Sequence, residues 1–152
     1  MKRKADRVRQ IVFVCTGNTC RSPMAEGLFR VLLKKKGTRG VACSSAGIGA
    51  FAGDEAQPNA VAAAAELGAD ITAHRSRPYR PEMAGETDLF VCMTPVHAVM
   101  LADVPDEKKV ILAGGVPDPY GGDMEEYRVC AQKIASGLEV LFEELKKRKM
   151  ID

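Results

Sequence analysis

Val14-Cys15-Thr16-Gly17-Asn18-Thr19-Cys20-Arg21-Ser22-Pro23 is the stretch on which the fold of this chain turns. It starts as the apolar run Ile11-Val12-Phe13-Val14 ends, and it closes where a helical pattern begins. A cysteine, five residues and an arginine therefore fill a loop between a strand and a helix. Backbone N–H groups in such a loop can converge on an anion, and the helix N-terminus adds partial positive charge. Arg21 adds a planar fork of donors that matches phosphate oxygens. The same field favours the thiolate of Cys15, which is the nucleophilic form. Gly17 and Asn18 suit left-handed backbone positions, and Ser22-Pro23 reads as an N-cap followed by proline at the first helical position. A lone cysteine ending a strand is ordinarily a small buried apolar residue. Here the strand before it, the turn residues after it and the helix start beyond favour a phosphate cradle with an attacking sulfur at its base.

Outward from this stretch, strand and helix signals alternate. Residues 9–15 read as a strand buried on both faces, because the apolar run does not alternate. Residues 23–36 read as a helix, with Ala25, Leu28, Phe29 and Leu32 on one face and Gly37 ending it. Residues 40–46 form a second short strand, and 47–57 a loop with Phe51 in its middle. An alanine-rich helix spans 58–67. Residues 74–81 are irregular and basic, and Arg75, Arg77 and Arg80 read as a solvated face, with attraction of a phosphoprotein the alternative. A third strand spans 88–92, a short helix 95–102 with His97 on its surface, and a fourth strand 109–112. A glycine- and proline-rich loop at 113–123 contains Asp118-Pro119-Tyr120. The last helix runs over 124–149 with Tyr127, Cys130, Ala131, Ile134, Leu138, Leu141 and Leu145 on its apolar face. Gly137 inside it costs roughly 1 kcal/mol against alanine, so close packing is expected there.

This alternation reads as an α/β chain with a parallel sheet covered on both faces, and by analogy the expected fold is a three-layer, flavodoxin-like sandwich. The first strand is expected to be central, beside the switch point where open sheets bind ligands, with strand order 2-1-3-4 by analogy. The 152 residues suit one domain, 9–152, behind a basic and flexible tail, 1–8. Apolar content of 46% with 28% charged residues is that of an ordinary soluble protein, and a net charge of +2 gives no bias toward nucleic acid. No stretch is long and apolar enough for a membrane span, and the run behind the basic start is too short for a signal peptide. Five cysteines, an odd number without framework spacing, suggest a reducing, cytoplasmic setting and a reactive thiol. His74 and His97 stand far apart and no cysteine–histidine zinc spacing occurs, so no metal and no cofactor is expected.

With these residues in place, the chain resembles the low-molecular-weight protein phosphatases over nearly its whole length from Arg9. The specific matches are Cys15 to Pro23, Ser45-Ala46-Gly47 and Asp118-Pro119-Tyr120. The resemblance implies roles. Cys15 would attack phosphorus and form a phosphocysteine. Arg21 would hold the equatorial oxygens, and Asp118 would protonate the leaving group and then deprotonate water. Ser22 would hydrogen-bond the sulfur. Asn18 would hold the loop in its strained shape, with Ser45 and His74 behind it. Thr16, Gly17, Asn18, Thr19, Cys20 and Ser22 would line the phosphate, and Phe51 and Tyr120 the entrance. The expected partner is a phosphorylated protein, met by a cytoplasmic monomer.

Two residues bear on substrate. Tyrosine-directed relatives carry a branched aliphatic residue where this chain has Thr19. Threonine there resembles the arginine phosphatases, which hydrolyse phosphoarginine but tend to have phenylalanine at the position of Tyr120. Phosphoarginine is the favoured substrate and phosphotyrosine the alternative. Cys20 reads either as a redox partner that captures an oxidised Cys15 or as a packing residue. Arsenate reductases share the fold but need two further relay cysteines; Cys92 sits near the right place, but no other cysteine follows until Cys130, so the relay reads as broken. A phosphocysteine carrier needs no general acid, which Asp118 argues against. A nucleotide-binding loop fails for want of Gly-x4-Gly-Lys-Ser/Thr.

Overall fold

The computed structural model describes residues 7–152. The elements are β1 (Gln10–Cys15), α1 (Arg21–Lys35), β2 (Ala42–Gly47), α2 (Pro58–Glu66), α3 (Met83–Glu86), β3 (Leu89–Cys92), α4 (Pro95–Met100), β4 (Lys109–Ile111) and α5 (Met124–Lys147). All four strands are parallel and their order is β2-β1-β3-β4, as expected.

β1 is central because both of its faces are apolar. Ile11 through Cys15 are all buried. Ile11 and Phe13 join the larger core with Met24, Phe29, Ile134 and Leu138. Val12 and Val14 join a smaller one with Phe90, Cys92, Leu101 and Val104. Helices α1, α2 and α5 pack together over the first face, and α4 packs on β3 and β4. Phe13 and Phe29 meet edge to face at 5.8 Å between centroids, which fastens α1 to the sheet.

In α5 the periodic residues Tyr127, Cys130, Ala131, Ile134, Leu138 and Leu145 are buried, while Leu141 is only half-buried. Phe142 is buried beside them. A Cβ on Gly137 would lie 3.0 Å from Ala113 Cβ and 3.1 Å from Leu112 Cγ. The helix-interior glycine thus marks the close approach of the loop after β4.

Local readings needed correction at the ends. α1 starts at Arg21, its N-cap is Cys20, and no side chain caps it. Ser22 is therefore not the cap; its hydroxyl is engaged elsewhere. Of Gly17 and Asn18, only Asn18 takes a positive φ, 56°. β3 begins at Leu89, and the carboxylate of Asp88 instead accepts from the N–H groups of Arg9 and Gln10 at 2.9 Å. The four-residue α3 and the helical turns at 106–108 and 112–114 are too short for periodicity to reveal. Of the basic tail at 1–8, residues 1–6 lie outside the described residues. Val8 is buried and donates to Met150 O at 2.8 Å, tying the start of the domain to its end.

Candidate active site

The loop leaves β1 at the carboxyl edge of the sheet, where open parallel sheets place ligands. Its carbonyls are drawn outward by surrounding donors. Ile48 N–H bonds Cys15 O, Gly49 N–H bonds Thr16 O and Gln57 N–H bonds Thr19 O, each at 2.9 Å. His74 Nε2 lies 2.7 Å from Asn18 O, and because a carbonyl only accepts, the ring nitrogen donates. With the carbonyls turned away, the N–H groups of Gly17 to Ser22 have no acceptor among the described residues. That is the arrangement an anion fits. β2 supports the loop from beside it through Gly47, where a Cβ would stand 2.5 Å from Thr16 O and 3.0 Å from Asn18 Cβ.

Asn18 ties the loop together from within. Its Oδ1 accepts from Arg77 N–H at 2.9 Å, which fixes the orientation of the amide. Its Nδ2 then donates to Ser22 Oγ at 2.8 Å and to Ser45 Oγ at 3.0 Å. Ser22 Oγ accepts there, so its own proton is free for Cys15 Sγ, 2.9 Å away. A hydroxyl donated to sulfur is a charge-assisted bond once the sulfur is ionised. Cys15, Asn18, Ser22, Ser45 and His74, separated by as many as 59 positions, are thus brought into one network.

Arg21 is buried, with its side chain 5% exposed. Nη1 donates to Val116 O at 2.9 Å, and Nη2 faces Asp118 Oδ2 at 3.5 Å. Nε has no partner among the described residues. A buried, unpaired donor on a cation is costly, and an oxyanion beside the loop would satisfy it. Asp118 is half-exposed, and its Oδ1 accepts from Tyr120 N–H at 3.0 Å. It therefore forms a turn and also reaches the arginine; the two readings are compatible.

The family model for low molecular weight phosphotyrosine protein phosphatase matches residues 10–150. The chain belongs to this family. A protein-arginine-phosphatase of Bacillus subtilis is 36% identical over 147 residues, covering 90% of this chain and 97% of that one. A low molecular weight protein-tyrosine-phosphatase of Streptomyces coelicolor is 34% identical over 142 residues, covering 82% and 86%. The YwlE arginine phosphatase, solved as a mutant with a phosphorylated active site serine, superposes with a TM-score of 0.84 at 34% identity, covering 91% and 96%. Like its family, this chain is a protein phosphatase, a hydrolase.

The remaining expected residues of this phosphatase are placed as follows. Thr19 is half-buried; among the described residues its hydroxyl has one hydrogen-bond partner, Cys20 Sγ at 3.9 Å, and it lies 3.8 Å from where a Gly17 Cβ would stand. Cys20 is buried, with Tyr127 Oη 3.3 Å from its sulfur. Burial pushes its thiol up from the ordinary range, against the hydrogen bonds of Tyr127 and Thr19. Phe51 and Tyr120 are both exposed. Tyr120 stands two residues beyond Asp118, and Phe51 two beyond Gly49, which holds Thr16. Cys92 belongs to the smaller core and Cys130 to the larger, so the sheet lies between the two sulfurs a thiol relay would need. Among the described residues no cluster of ligands suits a metal, and no helix is long and apolar enough to cross a membrane.

Two residues overturn their sequence reading. Arg77 is not part of a solvated face: its Nε donates to Ser45 O at 2.8 Å and its Nη2 to Ser44 Oγ at 3.0 Å, bracing β2 behind Asn18. His97 is not a surface residue; it is buried, with Nε2 2.9 Å from Thr16 Oγ1. A signal for it was present in Thr94-Pro95-Val96-His97. Threonine three residues before a side chain that can bond back to it, with proline at the first helical position, is capping-box spacing. The structure has that box.

Proposed function

We propose that this phosphatase dephosphorylates phosphoarginine in proteins through a phosphocysteine on Cys15. The observation that carries the chemistry is the buried Arg21 guanidinium with its unpartnered Nε beside inward-facing loop amides. In the first step the Cys15 thiolate attacks phosphorus and the bond from phosphorus to the guanidino nitrogen breaks. Asp118, protonated, gives its proton to the leaving nitrogen. Arg21 and the loop N–H groups take the charge on the equatorial oxygens. In the second step Asp118, now a carboxylate, takes a proton from water as the water attacks the phosphocysteine. Inorganic phosphate leaves and the thiolate is restored. Asn18, Ser22, Ser45 and His74 hold the loop in shape for both steps. No cofactor enters the scheme.

The phosphoarginine assignment is supported by Thr19. If its hydroxyl served only to brace the loop, it would have a close partner in the protein; among the described residues its hydrogen-bond partner is a sulfur at 3.9 Å. It is free to meet a polar guanidino group, and relatives named protein-arginine-phosphatase cover most of the chain. Phosphotyrosine is the second reading, favoured by the exposed rings of Phe51 and Tyr120, which could flank a flat aryl group. The enzyme is proposed to act in the cytoplasm as a monomer, the setting that fits five free cysteines.

Measuring kcat/KM on matched phosphoarginine and phosphotyrosine peptides decides between the two. Wild type is expected to favour phosphoarginine. Thr19→Ile is expected to raise the phosphotyrosine-to-phosphoarginine ratio at least tenfold, about 1.4 kcal/mol of differential transition-state binding. A parallel change in both activities would remove Thr19 from substrate selection. A wild type that prefers phosphotyrosine would overturn the arginine assignment and leave the chemistry of Cys15, Arg21 and Asp118 standing.

A further inference from the structure

α4 inverts the usual hydropathy of a surface helix. Val96, Val99 and Met100 are exposed, while polar His97 is buried. A buried imidazole costs free energy unless its nitrogens are bonded, and both are. Thr94 N–H lies 3.1 Å from Nδ1. A backbone amide only donates, so Nδ1 accepts and carries no proton. In the neutral ring the proton then sits on Nε2 and is donated to Thr16 Oγ1, 2.9 Å away. Burial, followed by the Arg21 guanidinium, holds His97 down at about 4 against a weaker opposite pull from Asp118, so the ring is neutral at neutral pH. The tautomer is therefore fixed by the helix cap, and the bond to Thr16 depends on it.

Thr16 is the residue after Cys15. Its carbonyl is held by Gly49 N–H at 2.9 Å and its hydroxyl by His97, so it is gripped at backbone and side chain from two different elements. The peptide so gripped carries the N–H of Gly17, the first of the loop amides left without an acceptor.

We propose that His97 is a positioning residue for the reaction: by holding Thr16 Oγ1 it fixes the first peptide after the nucleophile, so that the Gly17 N–H is set for the phosphoryl group before it arrives. This rests on residues 15–22 being the reacting loop. The competing role for His97 is to cap α4 and nothing more. The two nitrogens allow the roles to be separated. His97→Asn can place an amide oxygen near Nδ1 and keep the cap, but it cannot reach Thr16. His97→Gln can place an amide nitrogen near Nε2 and restore the donor to Thr16. Thr16→Val removes the acceptor without touching the cap, and Thr16→Ser keeps it.

The experiment measures kcat and KM on para-nitrophenyl phosphate, inhibition by inorganic phosphate, and thermal midpoint for each variant and for the His97→Asn, Thr16→Val double. His97→Asn and Thr16→Val are each expected to lower kcat/KM on the order of tenfold, chiefly through kcat, because a misplaced donor matters most in the transition state. The double variant should be no worse than either single. His97→Gln and Thr16→Ser should recover most of the loss. Multiplicative losses in the double, or a lowered thermal midpoint with kcat/KM unchanged, would overturn the proposal and leave a helix cap. If His97→Asn does not fold, Thr16→Val against Thr16→Ser carries the same test. A wild type without turnover would overturn the loop assignment and this inference with it; an active wild type with unchanged variants would overturn this inference alone.

Discussion

Asn18 is where backbone strain and hydrogen bonding coincide, and its removal should be read in both stability and rate. It is fully buried and takes φ of 56°, a conformation that costs an ordinary L-residue roughly 1–2 kcal/mol and asparagine less. Asn18→Ala deletes three side-chain hydrogen bonds, to Ser22, Ser45 and Arg77. At about 1 kcal/mol net for each, the bonds amount to about 3 kcal/mol, and the backbone adds about 1 more. For a chain of this size the thermal midpoint should fall roughly 10 °C or more. Asn18→Gly loses the same bonds but relieves the backbone, while gaining unfolded-state entropy. It should be the more stable of the two by about 0.5–1 kcal/mol. The same bonds orient Ser22 toward Cys15 and keep the loop amides turned inward, so both variants should lose at least tenfold, about 1.4 kcal/mol, in kcat/KM. Urea unfolding with steady-state turnover of para-nitrophenyl phosphate measures all of this. An alanine variant as stable as the glycine one would refute the strain argument. Wild-type kcat/KM in a folded, destabilised variant would refute the claim that the network shapes the reacting loop.

Asp118→Asn should slow substrates with poor leaving groups far more than an activated aryl phosphate, and a leaving-group series measures it; equal losses would make Asp118 a turn residue only. His97 gives a pH signature. Its native value of about 4 lies below the ordinary 6.5, so the folded protein keeps it neutral while the unfolded chain protonates it. Its contribution is intact above pH 6.5 and is lost as pH falls toward 4, at about 1 kcal/mol per pH unit. Between pH 7 and 5 wild type should therefore lose about 1–2 kcal/mol more unfolding free energy than His97→Gln, measured by urea titration at both values; equal losses would place the acid sensitivity elsewhere.

The sheet and the loop were legible in the sequence for one reason: each rests on a pattern that is local. The run from Ile11 to Val14 without alternation states a strand covered on both sides, and β1 has apolar neighbours on both. Cys15 and Arg21 stand at the two ends of one loop, so their meeting needs no tertiary fold. Asn18 was readable as a left-handed position because few residues tolerate it. The misreadings share the opposite cause. Ser22 looked like a cap because it precedes Pro23, but Cys15 and Asn18 claim its hydroxyl. Arg77 looked solvated beside Arg75 and Arg80, yet it is drawn onto β2 by Ser44 and Ser45, more than thirty positions earlier.

His97 is the sharpest case, because hydropathy alone would bury the other face of its helix. α4 is only six residues long, too short for its apolar side chains to dictate which way it faces. What orients it is polar: Thr94 at the cap is a local partner for Nδ1, while Thr16 across the loop becomes a partner for Nε2 only once β3 has delivered α4 to the edge where β1 ends. The helix is thus docked through its one polar side chain onto Thr16, the residue after Cys15. Val96, Val99 and Met100 are left facing outward as a consequence of satisfying an imidazole.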